Sequence, residues 1–428
     1  MPATILVGAQ WGDEGKGRAV DWLASSANIV ARYSGGDNAG HTVFVRNQLF
    51  KLHLLPSGIL HQQTLGLLGS GMVINPLRLV EELDQLAGMG VHITPERLAI
   101  STRAHIITPA HIALDGASEK ALGSQAIGTT QRGIGPAYID KASRRGIRAG
   151  EMADVENFAE ALEAALERGS RALKNMALEP LPAHAQVAAY VHAAKRLSPY
   201  LRDTVQLINE ALSRGGQVLC EGAQGTLLDL DHGSYPFVTS SSATAGGALT
   251  GLGFGPKYVE RVVGVAKAFS TRVGGGPLPT ELSGALGDRL RGTGENFWDE
   301  FGTTTGRPRR CGWLDGVMLR YAAAVNGLTE LIVTKLDILT GFDELKIAVG
   351  YKVGGQRYDY PPATLAELEH AQPVYESFSG WRDDVRRARD FGDLPRAARD
   401  YVRRIGEICA TPVRAVSVGP EREQLVLL

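Results

Sequence analysis

"ATILVGAQWGDEGKGRAVDWLASSANIVARYS", residues 3–34, sets out the elements of an α/β fold in one run. "ATILVGA" (3–9) is a continuous apolar run of strand length, and "NIVARYS" (28–34) is a second. Between them lie a Gly-rich turn and "RAVDWLASSA" (18–27), which reads as an amphipathic helix. Strand, loop, helix and strand in that order imply a parallel sheet, because parallel strands need a crossover. The expectation is an α/β fold: a large central, mainly parallel β-sheet flanked by helices. Its functional loops should be long and lie at the strand carboxyl ends.

The rest of the chain extends this pattern. "PLRLVEELDQLAGMG" (76–90) reads as a helix ending near glycine, and "RLAIST" (97–102) as a strand. Helical periodicity covers about 154–173 and 186–214. "QVLCEGA" (217–223), "RVVGVAKAFSTRVG" (261–274) and "ELIVTKLDIL" (330–339) each run from an apolar strand into a polar or Gly-rich loop. Ala398, Tyr401, Val402, Ile405 and Ile408 make a helical stripe. "WRDDVRRARD" (381–390) alternates in sign and reads as a solvated face. No repeat or long linker forces a division, so residues 1–428 are expected to form a single catalytic domain.

Composition excludes several classes of function. Lys and Arg total 45 against 46 Asp and Glu, a net charge of -1, so no electrostatic footprint marks nucleic acid or an anionic membrane. Glycine is abundant, 52 of 428 residues against a usual share of ~7 %, and falls in short clusters between periodic segments. Cys220, Cys311 and Cys409 are far apart and form no C-x-x-C pair, which fits reduced thiols. No basic region precedes the first apolar run, and no run reaches ~18 apolar residues, so neither a signal peptide nor a membrane span is expected. A cytoplasmic location follows from these readings.

The loops carry the chemistry. "GDEGKG" (12–17) resembles a phosphate-binding loop, with three glycines for close backbone approach and Lys16 as a point charge. It departs from G-x-x-x-x-G-K-[ST], since Gln10 and Gly17 stand where a glycine and a hydroxyl belong. Something else must then hold Mg²⁺, and a carboxylate is a suitable hard oxygen ligand. A regulatory GTPase would need that hydroxyl. In "SGGDNAGHTV" (34–43), Asn38 suits a base edge or a phosphate, and His41 suits an acid or charge stabiliser. Residues 126–148 hold five basic side chains without apolar periodicity, a composition suited to anion capture. Gln224 follows an apolar strand and can bond an amide-like base edge, whereas Asp229 and Asp231 are read as structural. "GTTTGRPRRCGW" (302–313) sets Arg307, Arg309 and Arg310 beside a hydroxyl cluster, suited to a small dianion. "TKLD" (334–337) resembles the [NT]-K-x-D element that reads guanine.

Seven of these stretches occur in one order: "QWGDEGKGR", "GGDNAGHTV", "LLPSGIL" (54–60), "IGTTQRGIGPAYIDK", "EGAQGTLLDLDHG", "TTTGRPRRCGW" and "TKLD". Together they resemble the adenylosuccinate synthetase family over about residues 3–420. The resemblance implies a GTP-dependent ligase that joins IMP to L-aspartate, using one Mg²⁺, as a homodimer. It implies a general base at Asp13, an acid at His41 and support of purine charge by Gln224. Metal ligation falls to Asp13 and the Gly40 carbonyl. GTP contacts fall on Gly12, Asp13, Glu14, Gly15, Lys16, Gly17 and Arg18. Gly40, His41, Thr42, Arg309, Lys335, Leu336, Asp337, Ser417, Val418 and Gly419 complete that set. IMP contacts fall on Asp13, Glu14, Gly15, Lys16, Asn38, Ala39, Gly40, His41, Thr130, Gln224, Thr239 and Arg307, with Arg144 donated across the dimer. Thr303, Thr304, Thr305, Gly306, Arg307, Pro308 and Arg309 form the implied aspartate loop. Two positions depart from the family's usual residues: Ser242, where Asn is usual, and Val418, in a terminal loop that usually reads Ser-Thr-Gly.

Overall fold

The computed structural model describes residues 2–45, 48–123, 126–302 and 306–428. Among the described residues, ten strands form the main sheet. Their order is Leu425–Leu427, Val413–Ser417, Glu330–Thr334, Val259–Lys267, Ala3–Gly8, Val218–Glu221, Ile29–Arg32, Leu65–Leu68, Leu98–Ser101 and Leu201–Arg202. All neighbouring pairs are parallel except the edge pair of Val413–Ser417 with Leu425–Leu427. The expected α/β architecture is therefore present.

Parallel pairing explains why the central strands carry no polar-apolar alternation. Ala3–Gly8 is buried at every position, as are Ile29–Arg32 and Val218–Glu221, because helices cover both faces. The opening segment folds as read, with one refinement: Ile29–Arg32 is not beside Ala3–Gly8 but one strand away, with Val218–Glu221 between them. The chain first builds outward through 65–68, 98–101 and 201–202. It returns to fill the gap at 218–221, then crosses to the other side of Ala3–Gly8. Such a reversal of strand order opens a crevice at the carboxyl ends.

Three sequence readings need correction. The periodic stretch 186–214 is not one helix: Ala183–Leu197 and Thr204–Ser213 flank the short edge strand Leu201–Arg202. Pro199 cannot continue the backbone ladder, and Asp203 caps the second helix by accepting from the Val205 and Gln206 amides. The stretch 126–148 is not all loop, since Ile134–Ala142 is helical and buries Ile134 and Ala137. In 381–390 the charged side chains are exposed, but Trp381, Val385 and Ala388 are buried and anchor the segment to the core. The stripe of Ala398, Tyr401, Val402, Ile405 and Ile408 is the buried face of the helix Arg396–Cys409.

Candidate active site

Because the central strands are parallel, their carboxyl ends and the loops that follow share one edge of the sheet. These loops enclose a cavity of about 400 Å³. The loop after Ala3–Gly8 forms its floor. A side chain at Gly8 would bring Cβ within 2.5 Å of the Glu14 carboxylate, so only glycine lets the loop fold back here. Gly15 has φ +89° and starts the helix Lys16–Ala24, whose first turn no side chain caps. The two carboxylates of the loop have different tasks. Glu14 is fully buried and accepts from the Gln10 amide (3.1 Å), the Gly12 amide (2.9 Å) and Lys16 Nζ (2.6 Å). It closes the loop on itself. Asp13, at φ +58°, turns to the cavity, where its Oδ2 accepts from Arg309 Nε at 2.9 Å. Burial pushes the Asp13 carboxyl up. Arg309, Lys267 and Lys16 outweigh that push and hold it below its ordinary value, so it is ionised at neutral pH.

His41 opens the hairpin of His41–Val45 with Gln48–Leu52. Its Nδ1 meets the Glu221 carboxylate and lies 3.2 Å from Ser57 Oγ. Glu221, the last residue of its strand, also accepts from the Ser57 amide and the Ser57 hydroxyl, each at 2.7 Å. Nε2 is thus the ring nitrogen left for the cavity that His41 lines. Burial lowers the imidazole's pKa, while the Glu221 charge acts in the opposite direction. Gln224 follows at φ +55°, and its Oε1 is buried with no hydrogen-bond partner among the described residues.

The remaining walls are tied to one another. Glu119 accepts the amides of Ile127, Gly128 and Thr129 and so fixes the loop that carries Thr130. Arg307 Nη2 donates to the Gly128 carbonyl at 3.0 Å. Asn38 Oδ1 accepts the Gly36 amide at 3.1 Å, and Thr239 Oγ1 lies 3.3 Å from Ser241 Oγ. At the far end, Lys335 at φ +61° donates to the Trp298 carbonyl (2.6 Å) and to Glu300. Asp337 lines the cavity there, and burial raises its pKa. Arg18 bonds the Ser417 hydroxyl and the Gly419 and Glu421 carbonyls, closing the terminal loop over this end.

A glycine loop opening an uncapped helix, a cavity-facing carboxylate, a shielded histidine and a strand-end T-K-L-D converge on one crevice. The family model described as adenylosuccinate synthetase matches residues 5–426. The chain belongs to the adenylosuccinate synthetase family. It is 52 % identical over 429 residues to the adenylosuccinate synthetase of Moorella thermoacetica, covering 100 % of this chain and 99 % of that one. It is 50 % identical over the same span and coverage to that of Frankia alni. A fully ligated adenylosuccinate synthetase from Plasmodium falciparum superposes with a TM-score of 0.94 at 38 % identity over the whole of both chains. As a member of this family the chain is a ligase of AMP synthesis that joins L-aspartate to IMP with GTP as co-substrate.

Of the residues the family resemblance implies, Gly12, Asp13, Gly15, Lys16, Gly17 and Arg18 line the cavity. So do Asn38, Ala39, Gly40, His41, Thr42, Thr130, Gln224 and Thr239. Arg307, Arg309, Lys335, Asp337, Ser417 and Gly419 complete the wall. Others lie off it. Glu14 is turned into its own loop. The side chains of Leu336 and Val418 belong to the hydrophobic core, and the Val418 amide donates to the Gln424 carbonyl. Gly306 and Pro308 are exposed, and Thr303, Thr304 and Thr305 fall outside the described residues. Arg144, at φ +63°, is exposed beyond the helix Ile134–Ala142 and does not reach its own cavity. Arg310 also leaves the site, pairing with Glu281. Asp229 is structural, accepting the amides of Asp231, His232, Ala243 and Thr244. Sequence reasoning missed Ser57, Glu221, Lys267 and Glu300. The signal for Glu221 was an acid ending an otherwise apolar strand.

Proposed function

We propose that Asp13 is the general base that removes the proton from N1 of IMP and His41 the acid that assists as the 6-oxygen attacks the γ-phosphate of GTP. The product of that step is 6-phosphoryl-IMP, and the aspartate amine then displaces phosphate. Gln224 supports the charge that develops on the purine. What carries this reading is the convergence of Asp13, His41 and Gln224 on one cavity, with a buried Gln224 oxygen that lacks a partner among the described residues. The loop 12–18 and the helix N-terminus hold the phosphates through amides and Lys16. Lys335 and Asp337 read guanine, with Ser417 and Gly419 beside them. Asn38, Thr130, Thr239 and Arg307 hold IMP, and the loop 303–309 holds aspartate.

Mg²⁺ fits the donors available. Among the described residues no cluster of three or more His, Cys, Asp or Glu forms a protein-only cage. The Asp13 carboxylate with the Gly40 carbonyl is the sparse protein share expected when substrate phosphates supply the other oxygens. When bound, the ion offsets charge on the transferring phosphoryl group. The chain is read as a single catalytic domain, a cytoplasmic enzyme and a homodimer in which Arg144 of the partner subunit reaches the IMP site. The exposure of Arg144 away from its own cavity supports the last point. Among the described residues no helix is long and apolar enough to cross a membrane. The test is adenylosuccinate formation assayed with each of GTP, IMP, aspartate and Mg²⁺ omitted in turn. Formation should require all four, and product without any one of them overturns the corresponding assignment.

A further inference from the structure

Glu300 lies just before the aspartate loop, and its side chain is 1 % exposed. Its carboxylate collects three cations from three separate parts of the chain. Lys267 Nζ, at the end of its strand, donates to Oε2 at 2.6 Å, and Arg309 Nη1 donates to the same oxygen at 2.6 Å. Lys335 Nζ, of the T-K-L-D element, donates to Oε1. The backbone adds to this grip, since the Arg309 amide donates to the Glu300 carbonyl at 2.9 Å. Phe301 and Pro308 form a bridge one step further along, and the Gly302 amide bonds the Arg307 carbonyl. Residues 300–302 and 307–309 are therefore tied to each other as a short paired stem whose base is Glu300. Arg309 reaches onward from this base to Asp13.

We propose that Glu300 is a positioning residue that couples the guanine subsite to the aspartate subsite. The proposal rests on the assignment of Lys335 to guanine and of Arg309 to the loop that takes aspartate. Neither Lys335 nor Lys267 can leave Glu300 without exposing a buried anion to loss of a partner, and Arg309 shares the same oxygen as Lys267. A shift of Lys335 on binding the base must therefore redistribute the bonds that hold Arg309. Reciprocity follows, because coupling between two sites acts equally in both directions. Lys335 sits at φ +61°, so its backbone is held rather than relaxed, and the anchor at Glu300 and the Trp298 carbonyl fixes its stem where a base would lie.

The test uses initial-rate kinetics of the full-length enzyme. Glu300→Gln keeps shape and removes charge. It should raise KM for GTP and for aspartate together, each roughly ten- to hundredfold, the range for losing a charged hydrogen bond. KM for IMP should stay near wild type. Lys335→Met should raise KM for aspartate, a substrate Lys335 is not assigned to touch, and should do so no further in the Glu300→Gln background. Additive effects of the two substitutions on KM for aspartate, or a change confined to one substrate, overturn the proposal. If Glu300→Gln does not fold, Lys335→Met alone decides: an unchanged KM for aspartate overturns coupling. A wild-type enzyme indifferent to GTP or aspartate would instead refute the assignment beneath it, so the two failures are distinguishable.

Discussion

Glu221→Gln is the substitution that separates a histidine acid from a histidine that merely fills space. Both Glu221 oxygens face donors: Oε1 meets His41 Nδ1 and the Ser57 hydroxyl, and Oε2 meets the Ser57 amide. A glutamine can offer its oxygen to only one side. Placed against the Ser57 amide, the oxygen leaves an NH₂ facing His41 Nδ1, which must then accept and shift its proton to Nε2. Placed against His41, it leaves two N–H groups opposed at Ser57. Either way one charged hydrogen bond is lost, about 1.5–3 kcal/mol, which corresponds to a kcat lower by roughly ten- to hundredfold. A second effect fixes the cause. Burial lowers the His41 pKa and the Glu221 charge raises it, so removing that charge lowers it further. An acid must be protonated to act, so the rate falls as pH rises through its pKa, and the variant's alkaline limb should move to lower pH. The assay is the pH profile of kcat at saturating GTP, IMP and aspartate, with circular dichroism as the folding control. An unchanged kcat together with an unmoved alkaline limb in a folded variant would refute the acid role of His41.

Three further outcomes are expected. Asp337→Asn should raise KM for GTP by roughly ten- to hundredfold and shift preference towards xanthosine triphosphate, because the amide presents a donor where guanine also presents donors; unchanged preference removes Asp337 from base readout. Mixing Arg144→Leu with Asp13→Ala subunits should restore activity up to about a quarter of wild type, since half of randomly paired dimers carry one intact site out of two; no recovery rules out a shared site. At Gln224, whose φ is +55°, the Gly variant should melt higher than the Ala variant by about 1 kcal/mol equivalent, reversing the usual order, while both lose activity; Ala more stable than Gly would show that the backbone is not strained there.

The strands beneath the cavity were legible because parallel, doubly covered strands are near-continuous apolar runs, as Ala3–Gly8 and Val218–Glu221 are. The strand order was not legible, because insertion of 218–221 between 3–8 and 29–32 depends on contacts about two hundred residues apart. Cavity-lining loops were legible where glycine and charge coincide, as at 12–17. The helix Ile134–Ala142 was hidden because only Ile134 and Ala137 are buried, too few for a stripe. Glu221 and Glu300 were hidden for another reason. Their significance is a set of partners, and partners contributed by distant loops leave no local pattern beyond the single acid that ends the apolar run at Glu221. Backbone strain marks the cavity in retrospect: Asp13, Gln224 and Lys335 are three of the seven described non-glycine residues at positive φ. Asp13, Gln224 and Lys335 each lie within a few residues of a strand's carboxyl end, where a left-handed turn redirects the chain at the crevice.

The same partner sets answer why acids crowd a site for anionic substrates. A triphosphate, a nucleoside monophosphate and a dicarboxylate call for many cations, and Lys16, Lys267, Arg309 and Lys335 converge here. Left unpaired and buried, they would repel one another and favour the unfolded chain. Glu14 and Glu300 offset that repulsion from behind the cavity wall, Glu14 at Lys16 and Glu300 at the other three. Burial pushes Glu300 up, yet the three cations hold it far below its ordinary value, so it stays ionised throughout the working pH range. Asp13 alone of these acids opens onto the cavity, and its partner Arg309 is already held by Glu300. A base must exchange partners during a reaction, whereas a scaffold must not. On the proposed assignment of Asp13 as base and metal ligand, anchoring Arg309 to a second, buried carboxylate would let Asp13 turn to a proton or a metal without releasing an unpaired guanidinium into the protein interior.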